Sequence, residues 1–226
     1  MQPKKNSGRI LGFLFLVNMI LGVIGISFRG LTGAEFDNTT FLSFAFENIN
    51  QMKLAIYLDM ASSAVIIGVA IFLFPFIRQY NGRLALAYFG IAIINFLIIA
   101  VSNILHIGLL SVCTDFVINN GTSVSQNYTT IAKMLYDSYY WTHFLTLILF
   151  SIGNSVLFYF FFKSRITPKW LAIWGILASV VVFFGGALQM AEIEVSFILF
   201  GQNGIFMVTL IIWLIIKGFK KLDITE

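Results

Sequence analysis

Six long stretches of almost unbroken apolar residues, at about 10–28, 54–77, 84–110, 139–162, 168–190 and 195–216, alternate with polar segments along this chain. A helix rising about 1.5 Å per residue needs about 20 residues to cross a hydrocarbon core of about 30 Å, and each stretch is close to that length or longer. Lipid offers no partner to backbone N–H and C=O groups, so a spanning segment satisfies them internally, as a helix does. The pattern therefore predicts an all-α fold, a polytopic membrane protein with six transmembrane helices in one bundle, forming a single domain over 1–226. The short turn from Arg78 to Arg83 makes the second and third spans antiparallel neighbours. Pro168 suits the first position of the fifth span, where a missing N–H costs nothing. The polar segments at 29–53 and 111–138 read as two long loops on one face of the membrane. The first span follows a charged lead containing Lys4, Lys5 and Arg9, as a signal peptide does. It is longer than the usual apolar region of about 7 to 15 residues, and Thr32-Gly33-Ala34 lies well past its end, so retention is expected.

Composition strengthens this reading: 59% of the residues are hydrophobic and 11% charged, which an ordinary soluble domain does not tolerate. The formal charge of +4 does not point to nucleic acid, because the basic residues sit in short clusters at the ends of apolar runs. Of the 14 Lys and Arg residues only Arg29, Lys53 and Lys133 fall on the face opposite the termini. The positive-inside rule then places both termini in the cytoplasm of a cell with this protein in its inner membrane. Three acceptor patterns, Asn38-Thr39-Thr40, Asn120-Gly121-Thr122 and Asn127-Tyr128-Thr129, would report the outer face in a glycosylating membrane. Cys113 is the only cysteine, so no disulfide closes either loop.

Candidate chemistry lies in polar residues inside the spans. Asp59 is foremost: a central Asp costs about 2.5 to 3.5 kcal/mol on the insertion scale, and neighbouring apolar residues at about −0.3 to −0.6 each offset it. Such an acid needs a partner or a wet cavity, and is functional by default. On its helix Ser62 and Ser63 continue a face with Ile66 and Ala70. On the third span Asn95, Ser102 and His106 share one face by helical phase, and on the fourth His143 and Asn154 stand at the same separation as His106 and Asn95. The two histidines then come out near the level of Asp59, with Asn95 and Asn154 deeper. Gln189, Gln202 and Asn203 complete a candidate polar pocket in the outer half. The bland alternative is that Asn, Gln, Ser and His act as interhelical hydrogen-bond glue, worth about 0.6 kcal/mol on average.

Arg9-Ile10-x-Gly12 at the first span, and Ser164-x-x-x-Pro168-Lys169-x-Leu171-Ala172-x-Trp174-Gly175 between the fourth and fifth, resemble the pattern of a family of bacterial integral membrane proteins known as domain of unknown function 4386. The resemblance extends over nearly the whole chain and implies an inner-membrane protein. It brings no catalytic residues with it.

Three functional classes follow. A binding or transport protein would use the outward-facing polar pocket around Asp59 for a small solute, with Asp59 as proton or cation site. A structural or accessory subunit would use the polar residues for packing alone. An intramembrane metal hydrolase would take Asp59, His106 and His143 as ligands, with water as the fourth. The absence of H-E-x-x-H, G-x-S-x-G or paired-acid motifs argues against an enzyme and ranks it last. No cofactor is expected, with zinc left open. The partners expected are the lipid bilayer, a small solute and a second copy of the chain, and no nucleic acid.

Overall fold

The computed structural model describes residues 5–29, 39–119, 125–196 and 198–220. Among them are seven helices: α1 (Lys5–Arg29), α2 (Thr39–Glu47), α3 (Ile49–Tyr80), α4 (Gly82–Ile118), α5 (Ser125–Ser164), α6 (Lys169–Met190) and α7 (Ile198–Lys217). All but α2 are long and apolar enough to cross a membrane. Thr32-Gly33-Ala34, Asn38 and Asn120 lie outside the described residues.

The spans fall where the apolar runs predict them, but the segments expected to be loops are largely helical. α4 has 37 residues and α5 has 40, so at about 1.5 Å per residue they reach about 55 and 60 Å, nearly twice the hydrocarbon thickness. The excess lies on the face opposite the termini. Tyr128, Ala132, Leu135, Tyr136 and Tyr139 recur at helical spacing on α5 and pack into one apolar cluster with Leu109, Cys113 and Phe116 of α4. α2 packs against this extension, chiefly against α4, burying Phe41, Leu42 and Ala45 in the same cluster, and Met52 and Ile56 of α3 complete it. At the other end of the chain α7 begins at Ile198 rather than 195, and Pro168 stands at the N-cap of α6, one position earlier than expected.

The six long helices form a ring: α1 packs on α3, α3 on α4, α4 on α5, α5 on α6, α6 on α7, and α7 returns to α1. A second, larger cluster fills the ring on the side of the termini, with Phe158, Phe160, Phe161 and Phe206 fully buried. Phe206 meets Phe158 edge to face, with ring centroids 5.0 Å apart. Closure depends on small residues. A Cβ on Gly12 would lie 2.9 Å from Leu214 Cβ, and one on Gly175 would lie 2.6 Å from Phe158 Cγ and 2.7 Å from Phe206 Cζ. At the termini, Gly8 of α1 lies against the backbone of Gly218 and Phe219, where Gly218 has φ +67°, a conformation that suits glycine. The two ends of the described chain are therefore in direct contact on one face.

Candidate functional site

Between the two apolar clusters lies a polar layer built from four helices. Arg29 is the last residue of α1, and its nearly buried side chain turns inward rather than out to an interface. Its Nη2 donates to Asp59 Oδ2 of α3 at 2.8 Å, forming an ion pair, and to Asn103 Oδ1 of α4 at 3.2 Å. Nη1 donates to the Tyr139 hydroxyl of α5 at 2.8 Å, and the guanidinium carbon lies 5.2 Å from the centre of that ring. Asn103 closes the circuit, its Nδ2 donating to Asp59 Oδ2 at 2.9 Å. The Asn103 amide thus accepts from the cation and donates to the anion, an arrangement that only one amide orientation satisfies. The two charges cancel within the layer.

The histidines stand beside this circuit. His106 is fully buried with its ring centroid 5.4 Å from that of Tyr139, and half-buried His143 stacks on the same ring at 6.2 Å. His106 Nδ1 and Nε2 have no hydrogen-bond partner among the described residues, and the same holds for Arg29 Nε and for Ser102 Oγ. Ser102 is buried next to Asn103.

A second polar level lies deeper. Eleven residues are close to three helical turns, or about 16 Å, and this interval separates Asn18 from Arg29, Asn95 from His106 and His143 from Asn154. Asn18, Asn95, Asn154 and Tyr88 line a cavity of about 30 Å³ on the ring axis, walled by Phe15, Ile66 and Met207 among others. By volume it has room for about two waters. Ser62, one turn below Asp59, donates to Asn18 Oδ1 at 2.8 Å and links the levels along α3. Asn95 Oδ1 and Asn154 Nδ2 have no protein partner among the described residues.

Of the candidates expected from sequence, Asp59, Ser102, His106 and His143 gather in or beside the upper layer, and Asn95 and Asn154 share the cavity beneath. Gln189, Gln202 and Asn203 do not join them. Gln189 accepts from Tyr140 Oη at 3.3 Å and donates to the Val195 carbonyl at 3.2 Å, while Gln202 donates to the Ala178 carbonyl at 3.3 Å, tying α7 to α6. Asn203 is half-buried beside it on α7. Side-chain amides so placed couple neighbouring helices, which is the glue role. Nor do Asp59, His106 and His143 form a ligand set: among the described residues no three His, Cys, Asp or Glu side chains gather so as to hold a metal ion. Asp59 Oδ2 instead faces Arg29 and Asn103.

Arg29, Asn103, Tyr139 and Asn18 are functional candidates that sequence reasoning passes over. Arg29 read only as one of three cations on the minority face. The signal that would have found it is the interval of eleven from Asn18, the same interval that singles out Asn95 with His106.

The sequence profile of the family described as "Domain of unknown function (DUF4386)" matches residues 10–218, and the chain belongs to this family. No curated protein and no solved structure matches the chain.

Proposed function

We propose that this DUF4386 member is a membrane protein that takes a small uncharged polar solute into the axis of its helix ring, from the face opposite the termini. The Lys and Arg distribution supports a cytoplasmic location for the termini, so this face would be the outer one. The observation that carries the reading is that six of the seven buried side-chain polar atoms without a protein partner among the described residues are Arg29 Nε, both His106 nitrogens, Ser102 Oγ, Asn95 Oδ1 and Asn154 Nδ2, the seventh being Thr167 Oγ1 at the turn between α5 and α6. Leaving a buried polar atom unpaired costs about 1 to 3 kcal/mol, so six of them would weigh heavily on a fold whose net stability is about 5 to 15 kcal/mol. Asn95 and Asn154 line the cavity, and Ser102 and His106 continue the Asn95 face of α4 toward Arg29, so water or a solute carrying both donors and acceptors along this face would satisfy them. Arg29 and Asp59 compensate each other at the mouth, so no net charge waits for an ionic ligand. The size of the cavity limits the solute to a few heavy atoms, such as a small amide or alcohol. In this reading the ion pair is the gate and the two asparagines are the binding floor.

Ligand-observed saturation-transfer NMR on the protein in lipid nanodiscs, against a panel of small amides, alcohols and amines, tests it. Saturation transfer to at least one amide or alcohol is expected, together with its loss in the Asn95→Leu, Asn154→Leu double variant. Transfer to none of them, or transfer that survives in the double variant, would overturn it. The accessory-subunit reading, favoured by the way Gln189 and Gln202 spend their hydrogen bonds on neighbouring helices, would then take its place.

A further inference from the structure

The lipid-facing surface carries a feature that the axial track does not use. A groove of about 500 Å³ runs along α5 between α4 and α6. Its floor is set by two small residues, Ser151 and Ser155, and Tyr159 follows them at the same four-residue step, so the three form one row on the helix. The serine hydroxyls are satisfied within α5, Ser151 donating to the Ile148 carbonyl at 2.7 Å and Ser155 to that of Ser151 at 2.8 Å. The groove is therefore apolar in effect despite two serines, and Phe184 of α6 and Leu84 of α4 wall it.

The next step of the same row is Lys163. It is exposed, with Nζ 5.9 Å from the centre of the Tyr159 ring, at the end of the groove nearest the termini. Exposed Arg83 directly precedes Leu84 on the other wall. From Lys163 to Ser151 is twelve residues, about 18 Å along the helix, against about 15 Å for the hydrocarbon of one leaflet. A partner helix would cross both leaflets, whereas this groove starts at a pair of cations and ends near the midplane. The geometry points to a binding site for an anionic phospholipid of the leaflet on the side of the termini, with one acyl chain along Ser151, Ser155 and Tyr159 and its phosphate at Lys163 and Arg83. Basic positions between helices at a membrane surface recognise such headgroups, each cation contributing about 1 kcal/mol, which is about fivefold in affinity.

Delipidated protein titrated separately with dioleoylphosphatidylglycerol and dioleoylphosphatidylcholine, with bound lipid counted by native mass spectrometry, tests the proposal. The phosphatidylglycerol is expected to bind more tightly. Lys163→Gln and Arg83→Gln should each weaken it about fivefold and leave phosphatidylcholine unchanged. Ser155→Phe, which fills the groove without altering charge, should weaken both lipids. Equal affinity for the two lipids in the unmodified protein, or phosphatidylglycerol binding indifferent to all three substitutions, would overturn the proposal. So would a dimer that Ser155→Phe converts to monomer while lipid binding stays the same, since the groove would then seat a second copy of the chain.

Discussion

A buried carboxyl can shed its charge by taking up a proton, whereas a guanidinium cannot, and this makes the two halves of the Arg29–Asp59 pair unequal. The Asp59 side chain is also the more open of the two, 30% exposed against 7% for Arg29. Removing the acid therefore strands a buried cation, and removing the base leaves an acid with ways to relax. Asp59→Asn is expected to destabilise the protein by about 3 to 5 kcal/mol, the range for breaking a buried pair from one side. Arg29→Gln is expected to cost less, about 1 to 3 kcal/mol, and the double variant should recover part of the larger loss. Equilibrium unfolding in mixed micelles gives the three values; Arg29→Gln proving the more damaging would contradict this arrangement. That Asp59 needed a partner could be read from its place in an apolar run. Its partner could not, because Arg29 stands at the end of a span, where a basic residue ordinarily reaches out to the interface and says nothing about what lies across the bundle.

At the scale of the element, the spans were legible and the helical extensions were not, for one physical reason. Apolar runs in lipid announce themselves by composition, since every face of the helix is covered. The segments at 111–118 and 125–139 interleave polar with apolar residues and are periodic in pattern, with Tyr128, Ala132, Leu135 and Tyr139 on one face and Asn127, Thr130, Lys133 and Asp137 among the rest. Their Asn, Ser and Thr content suggests a loop, whereas their period marks two helix ends. Backbone amides of residues 112–118 and 129–138 are therefore expected to exchange hydrogen orders of magnitude more slowly than a free peptide, measured by mass spectrometry in detergent. Exchange at the free-peptide rate would show that the extensions are not helical. The residues that carried the family resemblance also acquire a physical role here. Gly12 and Gly175 are close-packing positions of the ring, Leu171 and Ala172 are buried, and Ser164 Oγ donates to the Phe160 carbonyl within it. That pattern describes how the bundle closes, and its silence about the polar track is consistent with those positions lying toward the termini.

On the scale of the whole molecule, the ring has a well-packed half and a polar half. The phenylalanine cluster toward the termini leaves little for a solute, while the polar levels above it hold an ion pair, two histidines and a small cavity in which Asn95 Oδ1 and Asn154 Nδ2 have no protein partner among the described residues. A solute path into this layer from the face opposite the termini makes residue 102 accessible from that face alone, and cysteine accessibility measures this directly. With buried Cys113 replaced by alanine and Ser102→Cys as the only thiol, a small membrane-impermeant methanethiosulfonate is applied to each face of sealed vesicles, with Lys133→Cys as the exposed control. Modification of the residue-102 thiol only from the face that also labels position 133, slower than that control and faster once Arg29→Gln removes the guanidinium from the mouth, is the expected result. A thiol that reacts from neither face, with or without Arg29, while the control reacts at once, would contradict the claim and leave the polar layer as packing alone.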